Sequence, residues 1–414
     1  MTFSLSILKK LPVQLVLCLL IGLSFGNAIS LNSANILYTI SCFIKDILMY
    51  ALPFIIFTYL WAAIISFGNR GKILIGITVC LLILANACAL LTAYGLGSLI
   101  LPTIIKGSIP HITYDATVHV TSLWNIPDWQ FIKPPHGMIS GILLGFITLA
   151  TQSPWLTKNS QTCRIFATNC LKKGFIPVLP LYVLGFVIKL SRDGQLTNLM
   201  HGYANAFIFI CILMTVYITF WYFVGNAFNV KNTIASIREM LPAGITGFTT
   251  MSSSASMPVT LAATEKNIND RPFANFIVPA SVNPHMVGDG LCITVTALAL
   301  LLMAGKSIPP LSIFLIYTVN YCLVKFSAAG VPGGGVIVIL PVVRDYLGLD
   351  EASTALLQTI YLLQDPIMSS ANVMGNGAFA MVTHRLLKPW LGKNDELEDE
   401  CINHIDHVKK EVVG

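Results

Sequence analysis

Long apolar stretches alternate with short polar segments along this chain. In the first half, most of these stretches are long enough to cross a bilayer as helices, for which about 20 apolar residues suffice. They predict about six membrane-spanning helices, and a polar insert at about 106–134 should lie outside the membrane. Four of the predicted spans are about 11–29, 36–67, 73–105 and 200–226.

The second half does not divide into simple spans, because two helix-breaking loops interrupt its apolar stretches. They are Met-Ser-Ser-Ser-Ala-Ser-Met-Pro (251–258) and Ala-Ala-Gly-Val-Pro-Gly-Gly-Gly (328–335). Non-helical backbone at membrane depth is tolerated only where it is buried in protein or lines a watery cavity, and transporters bind solutes at such breaks. The pattern over residues 233–387 predicts a hairpin, a broken helix, a second hairpin and a polar helix, as in transporters built from inverted repeats.

The composition is typical of a membrane protein with several spans. Of the 414 residues, 55% are hydrophobic and only 11% are charged, whereas soluble domains carry about 25% charged residues. The net charge of +6 does not indicate a nucleic-acid partner, because the basic residues lie between the apolar stretches and near the ends. Their alternation fits the positive-inside rule and predicts cytoplasmic N- and C-termini, with membrane lipid as the surrounding partner.

The cysteines and the overall length add two expectations. The ten cysteines are scattered without a C-x-x-C pair, so we expect packing residues and predict neither disulfides nor a metal site. The short sequence without a targeting peptide favours a bacterial inner membrane.

The last apolar stretch places four polar residues and a methionine on one helical face. They fall at i, i+3, i+4, i+7 and i+11 and are Asp365, Met368, Ser369, Asn372 and Asn376. Ionisable residues inside membrane spans are costly and usually face a cavity or a pathway. A helix–helix contact held by small and amide residues is the alternative. It explains Ser369 and Asn372 but not Asp365, for which a functional role is favoured.

The two loops offer backbone groups to a ligand. Ser252, Ser253 and Ser254 supply hydroxyls, and a helix beginning near Pro258 would add positive potential for an anionic group such as a carboxylate. A hydrolase nucleophile is not indicated, because no G-x-S-x-G elbow or matching base is present. The glycines of the second loop, including Gly335, allow close approach of the backbone to a ligand.

Three further ionisable residues lie in the broken segments. His285 and Asp289 are four residues apart. Two side chains are too few ligands for a closed metal site. They predict either a buried pair that handles protons or a local hydrogen bond that satisfies the break, and both readings stay open. Lys325 lies in an apolar hairpin arm, where a lysine should reach the surface or meet a partner.

Three motifs in order resemble the dicarboxylate/amino acid:cation symporters, the family of glutamate and neutral amino acid transporters. Ser-Ser-Ser-Ala-Ser-Met-Pro-Val-Thr-Leu (252–261) resembles the tip of the family's first hairpin, and Ala-Gly-Val-Pro-Gly-Gly-Gly (329–335) resembles the second tip. The segment 365–372 is similar to the substrate-binding eighth helix. The resemblance covers nearly the whole chain and is sharpest over 230–385.

This resemblance implies an all-α polytopic membrane fold with eight transmembrane helices and two re-entrant hairpins. It also implies a homotrimer in which a transport domain moves like an elevator against a scaffold. Residues 1–229 would be mainly scaffold, with the third span joining the transport domain. Residues 230–387 would form the transport core, and 388–414 a charged cytoplasmic tail.

The same resemblance assigns roles to residues of this chain. Asp365 matches the aspartate that holds the substrate amino group, and Asn372 matches the asparagine that holds the α-carboxylate. The implied substrate-binding set is Ser252, Ser253, Ser254, Val331, Gly335, Asp365, Met368, Ser369 and Asn372.

Two departures from the family pattern bear on the substrate. Met368 replaces an arginine that binds acidic side chains, and Met251 occupies the alternative position of that arginine. A buried side-chain carboxylate without a cation partner is severely penalised, which favours a neutral amino acid over glutamate or aspartate. Loss of the aspartate that holds the substrate amino group would indicate a dicarboxylate substrate. That aspartate is present here as Asp365.

Further departures bear on the coupling ion, H+ or Na+. When the chain is compared with the family pattern without gaps, Val287 and Asn376 replace sodium-ligating aspartates and Asp289 replaces a threonine. Lys325 lies where, in the family, backbone carbonyls surround a third sodium. We hypothesise that Lys325 replaces a bound sodium and that coupling is to protons, with Asp289, His285 or Lys325 titrating, or is lost. The alternative is an ordinary sodium symporter, because a two-residue slip would put Asp289 near the lost aspartate.

The sequence therefore favours a secondary active transporter, a symporter of a small neutral amino acid, with no cofactor beyond the coupling ion. A membrane enzyme would need a nucleophile–base pair or a metal cluster, and the sequence displays neither. Broken helices also line channels, but polar and glycine-rich sites on two hairpins favour alternating access. A sodium-coupled amino acid or dicarboxylate symporter is the runner-up.

Overall fold

The computed structural model describes residues 11–26, 28–66, 72–105, 120–124, 134–192, 195–328 and 333–391. These residues are 87% helical and contain no strand, which confirms the all-α fold. Val331, most of the insert at 106–134 and the tail beyond residue 391 lie outside the described residues.

The first half consists of long helices. They are α1 (Leu11–Phe25), α2 (Leu31–Ser66), α3 (Lys72–Ile105), α4 (Pro134–Thr151), α5 (Pro154–Asn169), α6 (Ile176–Arg192) and α7 (Gln195–Gly225), with a π-helical turn at Cys170–Phe175 between α5 and α6.

The second half follows the predicted order of hairpin, broken helix, hairpin and long polar helix. The helices are α8 (Val230–Thr250), α9 (Ser253–Ile268), α10 (Arg271–Ser281), α11 (Val287–Met303), α12 (Leu311–Lys325), α13 (Gly334–Ile337), α14 (Leu340–Leu347) and α15 (Glu351–Leu391). The last helix extends four residues beyond the predicted end at 387, into the segment that was expected to be a charged tail.

The serine-rich break is shorter than the sequence suggests. Met251 ends α8 in the left-handed conformation, with φ 50°, and the Ser252 hydroxyl accepts a hydrogen bond from the Ala255 N–H at 3.2 Å. This N-cap starts α9 at Ser253, so the expected helix start near Pro258 is wrong. Pro258 lies inside α9, where it can donate no backbone hydrogen bond.

Length and composition identify two described helices that could cross a membrane alone, Gly76–Ile105 and Tyr203–Gly225. Pro154–Phe175 and Pro177–Arg192, bent by 51°, pass the same test together. Helices α11 and α12 have only 17 and 15 residues, because the breaks shorten them below the length of a full span. The expected total of eight spans stays a prediction.

Helix α11 lies at the centre of the second half. Its residues from Val287 to Leu301 are all buried, and it packs against α3, α7 and α15. Helix α15 packs in turn against α7, α8, α9 and α11. The N-terminal end of α11, the C-terminal end of α12, the short α13 and the middle of α15 meet in this core.

The contact between α2 and α4 depends on a glycine. A Cβ added at Gly137 would overlap the carbonyl oxygen of Pro53. Gly95 in α3 is a matched helical glycine, because a Cβ there would meet nothing within 4 Å.

We expect Gly137→Ala to lower the unfolding temperature in detergent, because overpacking of this kind costs about 1–3 kcal/mol. Gly95→Ala should leave it unchanged or raise it, since alanine is the better helix former by about 1 kcal/mol. Equal unfolding temperatures for the two variants would contradict a tight α2–α4 contact.

Candidate functional site

A fully buried ion pair lies at the centre of the core. The Lys325 Nζ atom is 2.6 Å from Asp289 Oδ2, and both side chains have 0% exposure to solvent. Lys325 is the last residue of α12 and Asp289 lies in the first turn of α11. An acid at a helix N-terminus and a base at a helix C-terminus are each favoured by the helix dipole, so the local sequence supports both positions.

The ammonium group of Lys325 has further partners. It donates to the carbonyl oxygen of Gly335 at 3.1 Å and contacts Met286 Sδ at 3.5 Å. The Nζ atom also lies 5.4 Å from the centre of the Tyr321 ring. The three acceptors on Asp289, Gly335 and Met286 match the three protons of the ammonium. They connect α12 to α11 and α13.

The carboxylate of Asp289 is also held by α15. Asn372 Nδ2 donates to Asp289 Oδ1 at 2.7 Å, and the Asp289 backbone N–H donates to Asn372 Oδ1 at 3.2 Å. A Cβ added at Gly335 would overlap Asp289 Oδ2 and crowd the Tyr361 hydroxyl at 2.9 Å. Residue 335 therefore has no room for a side chain while the ion pair is in place.

Asp365 forms a second anionic group in the core. Its Oδ2 atom accepts from the backbone N–H of Gly333 at 2.7 Å, and its Oδ1 atom accepts from the Ser369 hydroxyl at 3.2 Å. Gly333 has φ 70°, a left-handed conformation that suits glycine. Within the described residues, no cation forms a salt bridge with Asp365.

His285 does not pair with Asp289. Its Nδ1 atom lies 3.0 Å from Asn376 Oδ1, and its ring stacks on Phe379 with centroids 4.5 Å apart. The spacing of four residues does not bring His285 to Asp289 because α11 begins only at Val287, so the two residues do not share a helix. Within the described residues, His285 is bonded to Asn376 and not to Asp289, and proton handling by either residue stays a prediction.

The residues beside His285 form an apolar surface. His285, Val287, Gly375 and Phe379 line a cavity of about 130 Å³ together with side chains of α3 and α7. The amide nitrogen of Asn376 is buried without a hydrogen-bond partner. In the part of the chain that the structure describes, no group of three His, Cys, Asp or Glu residues could hold a metal ion.

The serines of the first loop have local partners. Ser252 caps α9, Ser253 is buried, and Ser254 donates to Asn283 Oδ1 at 3.0 Å. No hydrogen bond among the described residues connects the hydroxyls of Ser253 and Ser254 to Asp365 or Asn372. Their expected role in substrate binding stays a prediction.

The two methionines at the arginine positions are both inside the protein. Met368 has 0% exposure and Met251 has 4%. The described contacts therefore place no cation at either position. The ammonium of Lys325 in the same core is bound to Asp289.

Sequence reasoning missed Asn86, and it did not identify which group of the glycine-rich loop contacts Asp365. Asn86 in α3 donates from Nδ2 to the Pro284 carbonyl at 2.7 Å and accepts from the Met286 N–H at 3.3 Å, so it satisfies the break before α11. An amide in the middle of an apolar span was the available signal. Gly333 contributes only a backbone N–H, which no side-chain pattern reveals.

Comparison with known proteins gives a consistent result. The model of the sodium:dicarboxylate symporter family matches residues 11–386. An excitatory amino acid transporter of Onchocerca volvulus is 30% identical over 177 residues, 42% of this chain and 35% of that protein. Excitatory amino acid transporter 2 of Homo sapiens is 27% identical over 166 residues, which are 40% of this chain and 29% of that protein.

A neutral amino acid transporter is similar to the same degree. Neutral amino acid transporter A of Bos taurus is 28% identical over 186 residues, which are 44% of this chain and 35% of that protein. The matched region thus spans about a third of the length of these curated relatives.

We expect Gly335→Ala to displace the Asp289 carboxylate and to lower the unfolding temperature, at a cost of about 1–3 kcal/mol. Gly290→Ala, also buried in this core, is the matched control, because its added Cβ would meet its nearest neighbour at 3.8 Å. Thermal unfolding in detergent measures both variants. A Gly335→Ala protein as stable as Gly290→Ala would contradict the close approach.

Proposed function

Because the chain belongs to the sodium:dicarboxylate symporter family, a family of transporters and not of enzymes, we propose that it is a secondary active transporter. Its cargo is a small amino acid, carried by symport with a cation. The buried carboxylate of Asp365 carries this proposal. Its two oxygens accept from the Gly333 N–H and the Ser369 hydroxyl, and within the described residues no cation forms a salt bridge with it. Its charge is therefore available to a substrate ammonium group, whereas the charge of Asp289 is paired with Lys325.

A neutral amino acid fits the core better than an acidic one. The arginine positions hold Met251 and Met368, and the ammonium of Lys325 is already paired with Asp289. A substrate side-chain carboxylate would therefore be buried without a cation, at a large desolvation cost. Both methionines are flexible and apolar, which suits an aliphatic side chain.

A proton is favoured over sodium as the coupling ion. Sodium binds through several oxygen ligands, but Val287 lines an apolar cavity and Asn376 is bonded to His285. The Gly335 carbonyl accepts from Lys325. The residues present thus fit sodium poorly.

Coupling to sodium is the alternative, and it would need a sodium site in which Asp289 takes the place of the lost aspartate ligand. Both oxygens of Asp289 already have partners, Oδ2 with Lys325 and Oδ1 with Asn372. A sodium ion would have to displace the ammonium group. This observation weighs against the alternative.

An elevator movement suits the packing of the helices. Helix α3 packs along α11 and α12, and α7 packs on α11 and α15, so both belong with residues 230–387 in the proposed moving unit. Helices α1, α2, α4 and α6 pack mainly on one another and form the proposed scaffold. We extend this to two re-entrant hairpins, a homotrimer in the inner membrane and cytoplasmic termini, as the family resemblance implies.

Uptake into proteoliposomes tests this function. Labelled L-alanine, L-serine, L-leucine, L-methionine and L-aspartate are offered under an inward proton gradient or an inward sodium gradient. We expect accumulation of a neutral amino acid under the proton gradient. Accumulation driven by sodium alone would overturn the coupling, and accumulation of L-aspartate alone would overturn the substrate class.

We expect Asp365→Asn to reduce this uptake at least tenfold, because a lost charged hydrogen bond of about 1.5–3 kcal/mol corresponds to that factor or more. Asp345→Asn is the matched control, because Asp345 is exposed and its side chain is bonded to the adjacent Arg344. Equal uptake by Asp365→Asn and Asp345→Asn would remove Asp365 from the substrate site.

A further inference from the structure

The buried core contains an unequal number of positive and negative side chains. The charged residues where α11, α12, α13 and α15 meet are Asp289, Lys325 and Asp365. Residues 329–332 of the second loop are Ala-Gly-Val-Pro and bring no charge by their sequence. Two carboxylates and one ammonium leave this core with one net negative charge.

The other titratable side chains around the core, His285, Tyr321 and Tyr361, are neutral. His285 is bonded to an amide oxygen and stacked on Phe379, and no carboxylate of the described residues forms an ion pair with it that would stabilise an imidazolium. Tyr321 and Tyr361 are buried phenols near Asp289 and Lys325, and a phenolate there would add a charge without a partner.

Lys325 cannot leave the core without breaking it. Its ammonium bonds Asp289 on α11 and the Gly335 carbonyl on α13, and its own backbone ends α12. A bound ion would be free to dissociate at either side of the membrane, whereas this cation stays with the protein. It neutralises Asp289 permanently and leaves Asp365 as the uncompensated charge.

A net charge is costly to carry through a low-dielectric interior. A zwitterionic amino acid adds one positive and one negative group, so it leaves the balance at one negative charge. A single additional cation makes the loaded core neutral. We infer that Lys325 acts as a resident cation that limits coupling to one co-transported cation for each zwitterionic substrate molecule.

This inference rests on the proposed transport function but not on the identity of the ion. It differs from a purely structural role, in which Lys325 only ties the second hairpin to α11. In the structural role, removal of Lys325 would weaken the fold but leave the charge moved per substrate unchanged. In the resident-cation role, the moved charge must follow the net charge of the core.

The test is the membrane potential that balances a tenfold gradient of a labelled zwitterion, L-alanine or L-serine, in proteoliposomes. Potassium and valinomycin set the potential, while pH and sodium are equal on both sides. One charge per substrate balances a tenfold gradient at about 59 mV, and two charges balance it at about 30 mV. For the unmodified protein we expect about 59 mV.

Three variants change the core charge in defined steps. Lys325→Met leaves two negative charges, so the balance potential should fall to about 30 mV. Asp289→Asn leaves a neutral core, and its substrate flux should become independent of potential. The double variant Asp289→Asn/Lys325→Met restores one negative charge without leaving one member of the ion pair charged and alone, and its balance potential should return to about 59 mV.

Size-exclusion chromatography in detergent shows which variants fold. Because the structural role predicts about 59 mV for every variant, either folded single variant distinguishes it from the resident-cation role, and the double variant checks the count of core charges. A double variant with any balance potential other than about 59 mV overturns the inference. A folded Lys325→Met protein that still balances at about 59 mV overturns it as well. If the unmodified protein carries no amino acid under either ion gradient, the proposed function itself fails.

Discussion

The core is organised around one ion pair in a place that water does not reach. Removing two charges from water costs several kcal/mol for each ion, and their mutual attraction offsets this only when the remaining hydrogen bonds are also made. Lys325 and Asp289 meet that condition, because Gly335 and Asn372 complete their bonding. The pair therefore fixes the relative positions of α11, α12, α13 and α15 more than it adds to stability.

The rest of the site takes its shape from this arrangement. Because Asn372 is bonded to Asp289, α15 is held at a fixed rotation relative to α11, and Asp365 is held on the same side two helical turns away. The second hairpin reaches Asp365 through the Gly333 N–H. The second loop, the ammonium of Lys325 and the carboxylate of Asp365 are thus connected by hydrogen bonds through α11 and α15.

Much of the architecture could be predicted from the sequence, because helix breaks have local causes. The serine-rich and glycine-rich loops and the polar face of α15 all indicated the order of elements that the structure has. Helix starts were less certain, since the Ser252 cap outweighed the signal of Pro258. The start of α9 at Ser253 thus depends on one hydrogen bond, accepted by the Ser252 hydroxyl.

The partners inside the site were harder to predict, because they come from distant parts of the chain. Lys325 clearly needed a partner, but Asp289 lies 36 residues away and joins it only through the packing of two helix ends. The spacing of His285 and Asp289 suggested a pair, but that inference assumes continuous helix, and the helix begins between them. Sequence periodicity cannot reveal contacts across a break.

The bare backbone at Gly335 has a consequence for how this protein can change over generations. Any side chain there collides with Asp289, while loss of Asp289 or Lys325 alone strands a charge in a dry interior. A larger residue at this position is therefore better tolerated in a lineage that has already lost the pair. The three positions can diverge only in a restricted order, and each makes the others slow to vary.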